Sequence, residues 1–519
     1  MRSDPRSLDR RRFDVLVVGG GIHGAALARE VALRRRSVLL VERDDFGVGT
    51  SSRSSRLIHG GLRYLEHGHL ALVREALGER ERLLRTAPHL VRPQPLLMPF
   101  FRDGSKSRWM VRAGLMLYDM LAGRHSLPAA RSHDADACVR LFPPLRREGL
   151  KGGALFYDAR TEDQRLTLAV VEAAVAAGAS VANHLALERP VGDGIELRDA
   201  LRDETVVVHA GLVLNASGVA VDAVRRRLGI DGPQLIRRSR GSHLVLDPLG
   251  SEVGLAAFLP DRRIQFVIPH PDGTLSGTTE VDEPADGEDE PPVPEADVTY
   301  LLDALRYLYA VPPQRAELRH AYCGLRALPA VTGPAGRLNR EAFLVAEDSA
   351  VGTVHSVVGG KLTTHRAFAE RVVSRLFDIR AASPSRDLPL PGGEGSQEFG
   401  DPLWWRHGSR AAAVRALAAG DPSLLEPMCP HRELLRAEAV HALRHQAAMS
   451  FTDLLARRLF HSAGPCLQPG CLAAAHALFA DHLPPGVDAD RDRDCAALTA
   501  WVQRTAGALC RDPAVVQTP

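Results

Sequence analysis

At 519 residues the chain is long enough for at least two domains with sizeable cores. Its 65 Lys+Arg against 63 Asp+Glu create no global field of the kind that holds nucleic acid, and nucleic acid is excluded as a partner. No stretch reaches the roughly 18 consecutive apolar residues of a transmembrane helix. Seven cysteines, at 138, 323, 429, 466, 471, 495 and 510, form no C-x-x-C pair. They read as reduced thiols, with neither a disulfide framework nor a metal site expected.

In chain order, residues 1–12 carry several arginines and no apolar run, which predicts a disordered leader and no secretory signal. Phe13 to Val18 then reads as an apolar strand running into Gly19, Gly21 and Gly24, spaced G-x-G-x-x-G. A helical stretch and a second apolar strand ending in Glu42 follow. The first glycine permits a sharp turn, the second lets backbone approach a pyrophosphate, and the third packs helix against strand. Free N–H groups at the helix start would meet the phosphate charge, and Glu42 suits a ribose hydroxyl. The unit predicts dinucleotide binding; on this motif alone, the ADP halves of FAD and NAD fit equally.

Next comes a hydroxyl-rich loop, Thr50-Ser51-Ser52-Arg53-Ser54-Ser55-Arg56, and then Ile58-His59-Gly60-Gly61-Leu62-Arg63-Tyr64. The hydroxyls could bond diphosphate and ribitol oxygens, and the glycine pair lets backbone approach a flat ring. His59 and Arg63, four apart, would share a face if this were a helix turn. Leu166 to Ala177 predicts a helix, Ser180 to Asn183 a strand, and Glu196 to Leu214 two strands around a polar turn, ending in Asn215-Ala216-Ser217-Gly218. Arg240-Gly241-Ser242-His243 precedes a strand, and Cys323-Gly324-Leu325-Arg326 puts a guanidinium at a loop. Residues 280–295 form a polar, Pro- and acid-rich loop. Val357-Val358-Gly359-Gly360-Lys361-Leu362-Thr363-Thr364 reads as strand, glycine pair and helix start, a second helix N-terminus suited to a flavin edge. Residues 383–401, with Pro384, Pro389 and Pro391, read as a linker, and 402–519 as a helical domain.

IHGGLRYLE, RGSH, the GLR containing Arg326 and GGKLTT, in this order behind GGGIHG, closely resemble FAD-dependent glycerol-3-phosphate dehydrogenase of the aerobic, quinone-linked type, in the flavin amine-oxidase-like superfamily. The likeness runs from about residue 13 to about 382 and continues more weakly in RHQAAMSFTDLLARR. It implies an α/β fold: a Rossmann-like FAD-binding domain over 13–382, an interleaved β-sheet substrate cap (roughly 90–150 and 235–335), and a C-terminal all-α domain.

The resemblance implies that Gly19, Gly21, Gly24 and Glu42 hold the adenosine half of FAD. Thr50, Ser51, Ser55 and Gly61 would line diphosphate, ribitol and ring, and Gly360, Leu362 and Thr363 would close over the flavin. His59, Arg63, Tyr64, His243, Arg326 and Lys361 match positions facing the substrate, with Arg340 and Glu280 as further contacts. Oxidation of sn-glycerol 3-phosphate to dihydroxyacetone phosphate by hydride transfer from C2 would need a base, His59 with His243 as competitor. It would also need cations for the phosphate, Arg326 and Arg63 foremost. Lys361 could polarise the developing carbonyl.

The resemblance implies quinone as acceptor; an oxidase using oxygen and a flavin-binding protein without turnover are the alternatives. Residues 361–380 and 102–124 are both basic and amphipathic, each suiting either a peripheral contact with the inner face of the cytoplasmic membrane or ordinary core packing. A cytoplasmic location is expected, and a homodimer is one compatible assembly. Three positions depart from the family pattern: Glu280 stands for Asp, NASGVA for NATGP, and His365 follows GGKLTT in place of Tyr.

Overall fold

The computed structural model describes residues 1–509 apart from 66–67, 124–126, 250, 271–272, 288–289, 332–340, 460–463, 465, 485 and 508; the side chains of Arg63 and Arg432 also lie outside the described set. The first half comprises β1 (Arg12–Val18), α1 (Ile22–Leu33), β2 (Val38–Val41), β3 (Leu57–Ile58), α2 (Leu62–Leu65), α3 (Leu70–Thr86), β4 (Val91–Phe101), α4 (Arg108–Ala122), β5 (Arg131–His133), α5 (Ala135–Leu141), β6 (Leu150–Thr161), α6 (Asp163–Ala176), β7 (Ser180–Ala182), β8 (Leu185–Val191), β9 (Gly194–Asp199), β10 (Glu204–Asn215) and α7 (Val221–Arg227). There follow β11 (Ile236–Leu246), β12 (Gly254–Phe258), β13 (Ile264–His270), β14 (Gly273–Gly277), β15 (Val281–Glu283), α8 (Glu295–Leu308), β16 (Leu318–Pro329), β17 (Phe343–Ser349), β18 (Gly352–Val358) and α9 (His365–Leu376). The C-terminal part holds α10 (Trp404–His407), α11 (Ala411–Ala416), β19 (Pro427–Cys429), β20 (Arg432–Leu435), α12 (Arg436–His445), α13 (Pro469–Asp481) and α14 (Arg491–Ala506).

Two sheets organise the molecule. The first runs β17-β18-β10-β1-β2-β7, parallel from β18 to β7, with β17 antiparallel at its edge. Val15, Leu16 and Val17 of β1 are fully buried. Such continuous apolar runs are what a parallel sheet covered on both faces requires. The helices α1, α6 and α9 pack their apolar faces into one core against this sheet. The carboxyl ends of β1, β2 and β10 carry Gly19, Glu42 and Asn215, and this end of a doubly wound sheet is where ligands bind. The second sheet, β15-β11-β14-β13-β12-β4-β6-β3, has β16 along β11 and β5 along β6. Its strands come from two separated stretches of chain, so it is interleaved with the first.

Several expectations give way here. Residues 1–12 are no disordered leader: Leu8 is fully buried among Phe13, Leu16 and Leu39, and Arg2 pairs with Asp199 at 2.9 Å. The stretch 383–401 is a linker only in part, since Ser383 and Ser385 bond the buried Glu30 and Leu390 sits in the core. The helix after GGKLTT begins at His365, four residues later than expected, with Thr364 as its cap. The apolar side of α9 is buried and Arg366 and Arg371 pair with Glu79 and Glu75, so α9 is a core helix and not a membrane face.

The C-terminal part is helical apart from the β19–β20 hairpin. Its segment Asp453–Leu459 is wound as a π-helix and grips the first domain. The buried Arg458 donates twice to Asp45, and Asp453 meets His184 at 2.8 Å. RHQAAMSFTDLLARR therefore docks the C-terminal part beside the loop that follows Glu42. Three of the cysteines are brought together: Cys429, Cys466 and Cys471 converge on His431.

Candidate active site

The sheet ends and the cap enclose one elongated cavity of about 490 Å³. Its lining includes Gly19, Gly21, Glu42, Thr50, Ser51, Ser55, His59, Gly61, Tyr64, His243, Glu280, Arg326, Gly360, Lys361, Leu362 and Thr363. Of the other expected residues, Gly24 acts beneath the cavity. The side chain of Arg63 and the whole of Arg340 lie outside the described residues.

One end of the cavity is built from backbone. A Cβ on Gly24 would lie 1.8 Å from the carbonyl oxygen of Gly19, so only glycine lets α1 start this close to β1. The first free N–H groups of α1 open onto the cavity, and Ile22 N–H donates to Ser51 Oγ at 2.9 Å. Glu42 accepts from Gly20 N–H at 2.6 Å and from Asp44 N–H at 3.0 Å. Burial pushes its carboxyl above the usual carboxylate range. Ala216, Ser217 and Gly218 close this end from the β10 side, braced by Asn215, which accepts from Ser217 Oγ and donates to Ser356 Oγ.

The other end is built from side chains of the cap. Strands β11 and β16 pair so that Gly241 faces Gly324 and His243 faces Tyr322. Arg326 thus sits in mid-strand and not at the loop expected from sequence, and His243 lies inside β11 and not ahead of a strand. The Arg326 guanidinium donates to Arg240 O, Thr278 Oγ1 and Thr279 O at 3.1–3.2 Å and lies across Gly241, where a Cβ would come 2.3 Å from Nη2. His243 stacks on Tyr322 at 5.0 Å between centroids, and its Nε2 lies 2.8 Å from Ser55 Oγ. Burial, with Arg326 and Arg56 adding repulsion, pushes its pKa down to about 3, so the ring is neutral. Its Nδ1 is buried without a hydrogen-bond partner among the described residues.

Across the cavity, Lys361 Nζ sits 3.5 Å from the ring centroid of Tyr64. His59 is half-buried in the loop after β3, and its N–H reaches Thr363 Oγ1 at 3.4 Å. Since α2 starts only at Leu62, His59 and Arg63 do not share a helix face. Gly60 N–H donates to Tyr118 OH, which donates to Asp158, itself paired with Arg80. This buried chain fixes the glycine pair from below.

Sequence reading missed His23, Arg53 and Tyr118. His23 lies under Gly360 (φ +110°), where a Cβ would approach its Nε2 to 2.1 Å. Burial drives its pKa to about 3. A histidine inside the glycine fingerprint was the available signal. Arg53 pairs with Glu290 at 3.0 Å and lies 6.0 Å from the Trp501 ring, which brings α14 to the cavity wall. Nothing local marks Tyr118.

The residues present fit a flavin dinucleotide. An acid stands at the ribose position, helix N–H groups and hydroxyls follow in the middle, and glycine pairs 60–61 and 359–360 leave room for a flat ring at the far end. With a His, Arg and Lys cluster beyond that room, fold and site define an FAD-dependent oxidoreductase. Residues 14–366 match the family described as FAD dependent oxidoreductase, and residues 357–482 match the C-terminal domain of alpha-glycerophosphate oxidase. The chain is 36% identical to glycerol-3-phosphate dehydrogenase of Synechocystis sp. over 88% of its length and 90% of that protein's. It is likewise 36% identical to glycerol-3-phosphate dehydrogenase 2 of Mycobacterium bovis, over 88% and 82%. The crystal structure of the Bacillus halodurans glycerol-3-phosphate dehydrogenase complexed with FAD shares the fold, with a TM-score of 0.76 at 24% identity over 97% of each chain. The chain belongs to the FAD-dependent glycerol-3-phosphate dehydrogenase family.

Proposed function

We propose that this chain oxidises sn-glycerol 3-phosphate to dihydroxyacetone phosphate. The observation that carries this is the joining, in one cavity, of a dinucleotide cradle and a cation-and-imidazole cluster. Bound FAD supplies the acceptor for the hydride that leaves C2. Arg326, whose guanidinium is already oriented by three acceptors, meets the phosphate dianion, where charge-assisted and bidentate bonds are strongest. Arg63 and Arg340 are further phosphate ligands in this reading.

The neutral His243 takes the hydroxyl proton. Burial is the main reason the imidazole stays uncharged; the dianion beside Arg326 offsets the smaller repulsive part, so substrate binding raises its basicity. This moves the base from His59 to His243, on the strength of its burial and orientation by Ser55 and Tyr322. His59 stays beside the GGKLTT loop as a positioning group. Lys361, steered by Tyr64, bonds the oxygen as it becomes a carbonyl, and Glu280 bonds the remaining hydroxyl.

Quinone is the acceptor in this reading, reached by peripheral docking of α4. On the buried side of α4, Leu115 shares a core with the cavity-lining Leu57, Met98 and Phe156, and Tyr118 OH accepts from Gly60 N–H. Its other side exposes Trp109 (63%), Met110, Met116 (68%) and Met120, with Arg108 and Arg112 at 4.9 and 5.3 Å from the Trp109 ring. Apolar side chains ringed by arginines suit an anionic bilayer surface. Among the described residues no helix is long and apolar enough to cross a membrane. Turnover should require a quinone or quinone-like dye and proceed with sn-glycerol 3-phosphate but not glycerol. Equal rates with oxygen alone would shift the reading to an oxidase.

A further inference from the structure

We infer that the C-terminal domain holds a structural zinc ion, bound by Cys429, His431, Cys466 and Cys471. The sequence spacing, C-x-H followed at a distance by C-x4-C, conceals the site because neither half is a C-x-x-C pair. Folding joins the halves: Cys429 ends β19, His431 lies in the hairpin turn, Cys471 is in the first turn of α13, and Cys466 lies just before it.

The distances carry the argument. The Sγ atoms of Cys429, Cys466 and Cys471 stand 3.4, 3.5 and 3.4 Å from one atom, Nδ1 of His431. All four donor atoms lie within 4.8 Å of one another. A single ring nitrogen has one proton or one lone pair, so it cannot hydrogen-bond three thiols. Four donors around a common centre explain the arrangement. For tetrahedral zinc, with Zn–S about 2.3 Å and Zn–N about 2.0–2.1 Å, each S···N edge is about 3.5 Å. In addition, the backbone N–H of His431 points at Cys429 Sγ at 3.4 Å, the kind of outer contact that supports a thiolate ligand.

Three thiolates and one imidazole suit Zn²⁺ over magnesium or calcium, which take oxygen ligands. Four protein ligands fill the tetrahedron, so the site is closed and its role is structural. Binding releases the thiol protons and needs no oxidant. A disulfide would pair two of the three sulfurs and leave the third beside an idle imidazole. The other convergent group, Asp45, His184 and Asp453, needs no ion, because Arg458 and Arg457 already neutralise it.

The clamp ties the β19–β20 hairpin to α13, across the small core of Met428, Leu434, Phe451 and Phe479. Between the two ligand pairs lies the Asp453–Leu459 segment that grips the first domain. Zinc thus closes both ends of the docking segment.

The test uses the flavin-loaded full chain, purified in zinc-containing medium without a polyhistidine tag. Elemental analysis should find one zinc per chain. The double variant Cys466→Ser/Cys471→Ser should lose it, while Cys495→Ser, outside the cluster, should keep it. Should the double variant fail to fold, anaerobic exchange of the wild-type protein with Co²⁺ should give the intense visible bands of a tetrahedral thiolate site. Wild-type protein without zinc that also gives no such cobalt spectrum overturns the inference. So does a disulfide among the three cysteines in freshly prepared protein.

Discussion

The two ends of the cavity are made in different ways. The nucleotide end is backbone: strand ends, a helix start and glycines, nearly all within the contiguous stretch 12–51 and completed by the β10 turn. The substrate end is side chains, from residues 55, 59, 64, 243, 280, 326 and 361, which meet only because β11 pairs with β16 and the GGKLTT loop lines the same cavity. Local geometry should therefore decide whether flavin is held, and long-range pairing should decide whether anything is oxidised.

The sharpest way to break that contrast is at Gly24. Gly24→Ala puts a methyl into the Gly19 carbonyl and should leave protein with little or no flavin, read from the flavin-to-protein ratio. Changes at the other end should keep flavin and lose rate. His243→Asn should lower kcat by about 10²–10⁴-fold at full flavin content, the range for a lost general base. A comparable fall for His59→Asn alone would return the base to His59. Arg326→Ala should act mainly on KM, because a charge-assisted contact of about 2 kcal/mol corresponds to roughly thirtyfold.

Acid should loosen both ends together. His23 and His243 have folded pKa values of about 3, below the unfolded 6.5, because burial disfavours their charged forms. Their contribution is fully present above pH 6.5 and is lost as pH falls from 6.5 through about 3. The unfolding temperature should decline across that window, and less steeply in His243→Asn. The smallest effect on stability and rate is expected at the surface: Trp109→Ser with Met116→Ser should leave the unfolding temperature and dye-linked rate unchanged while abolishing binding to anionic vesicles.

The same contrast governs what could be read from sequence. The glycine fingerprint, Glu42 and the strand–helix alternation around them were legible because each depends on near neighbours. His243 and Arg326 were recognisable through family resemblance, but their strand positions were not, since the glycines at 241 and 324 interrupt the local apolar pattern yet face each other within a paired ladder. Helices α4 and α9 show the limit of pattern alone. Both read as basic and amphipathic, yet α9 buries its apolar face in the core with α1 and pairs its arginines with Glu75 and Glu79, while α4 leaves apolar side chains exposed. Which neighbour covers a face is a tertiary fact. Residues 1–12 make the same point, for buried Leu8 and Pro5 and the Arg2–Asp199 pair anchor a stretch whose arginines read as disorder.

The most direct test is the visible spectrum of the purified protein before and after anaerobic addition of sn-glycerol 3-phosphate. A bound flavin should be present, and its absorption should bleach with this substrate and not with glycerol. A bound flavin that stays oxidised in its presence would contradict the assignment of the substrate end.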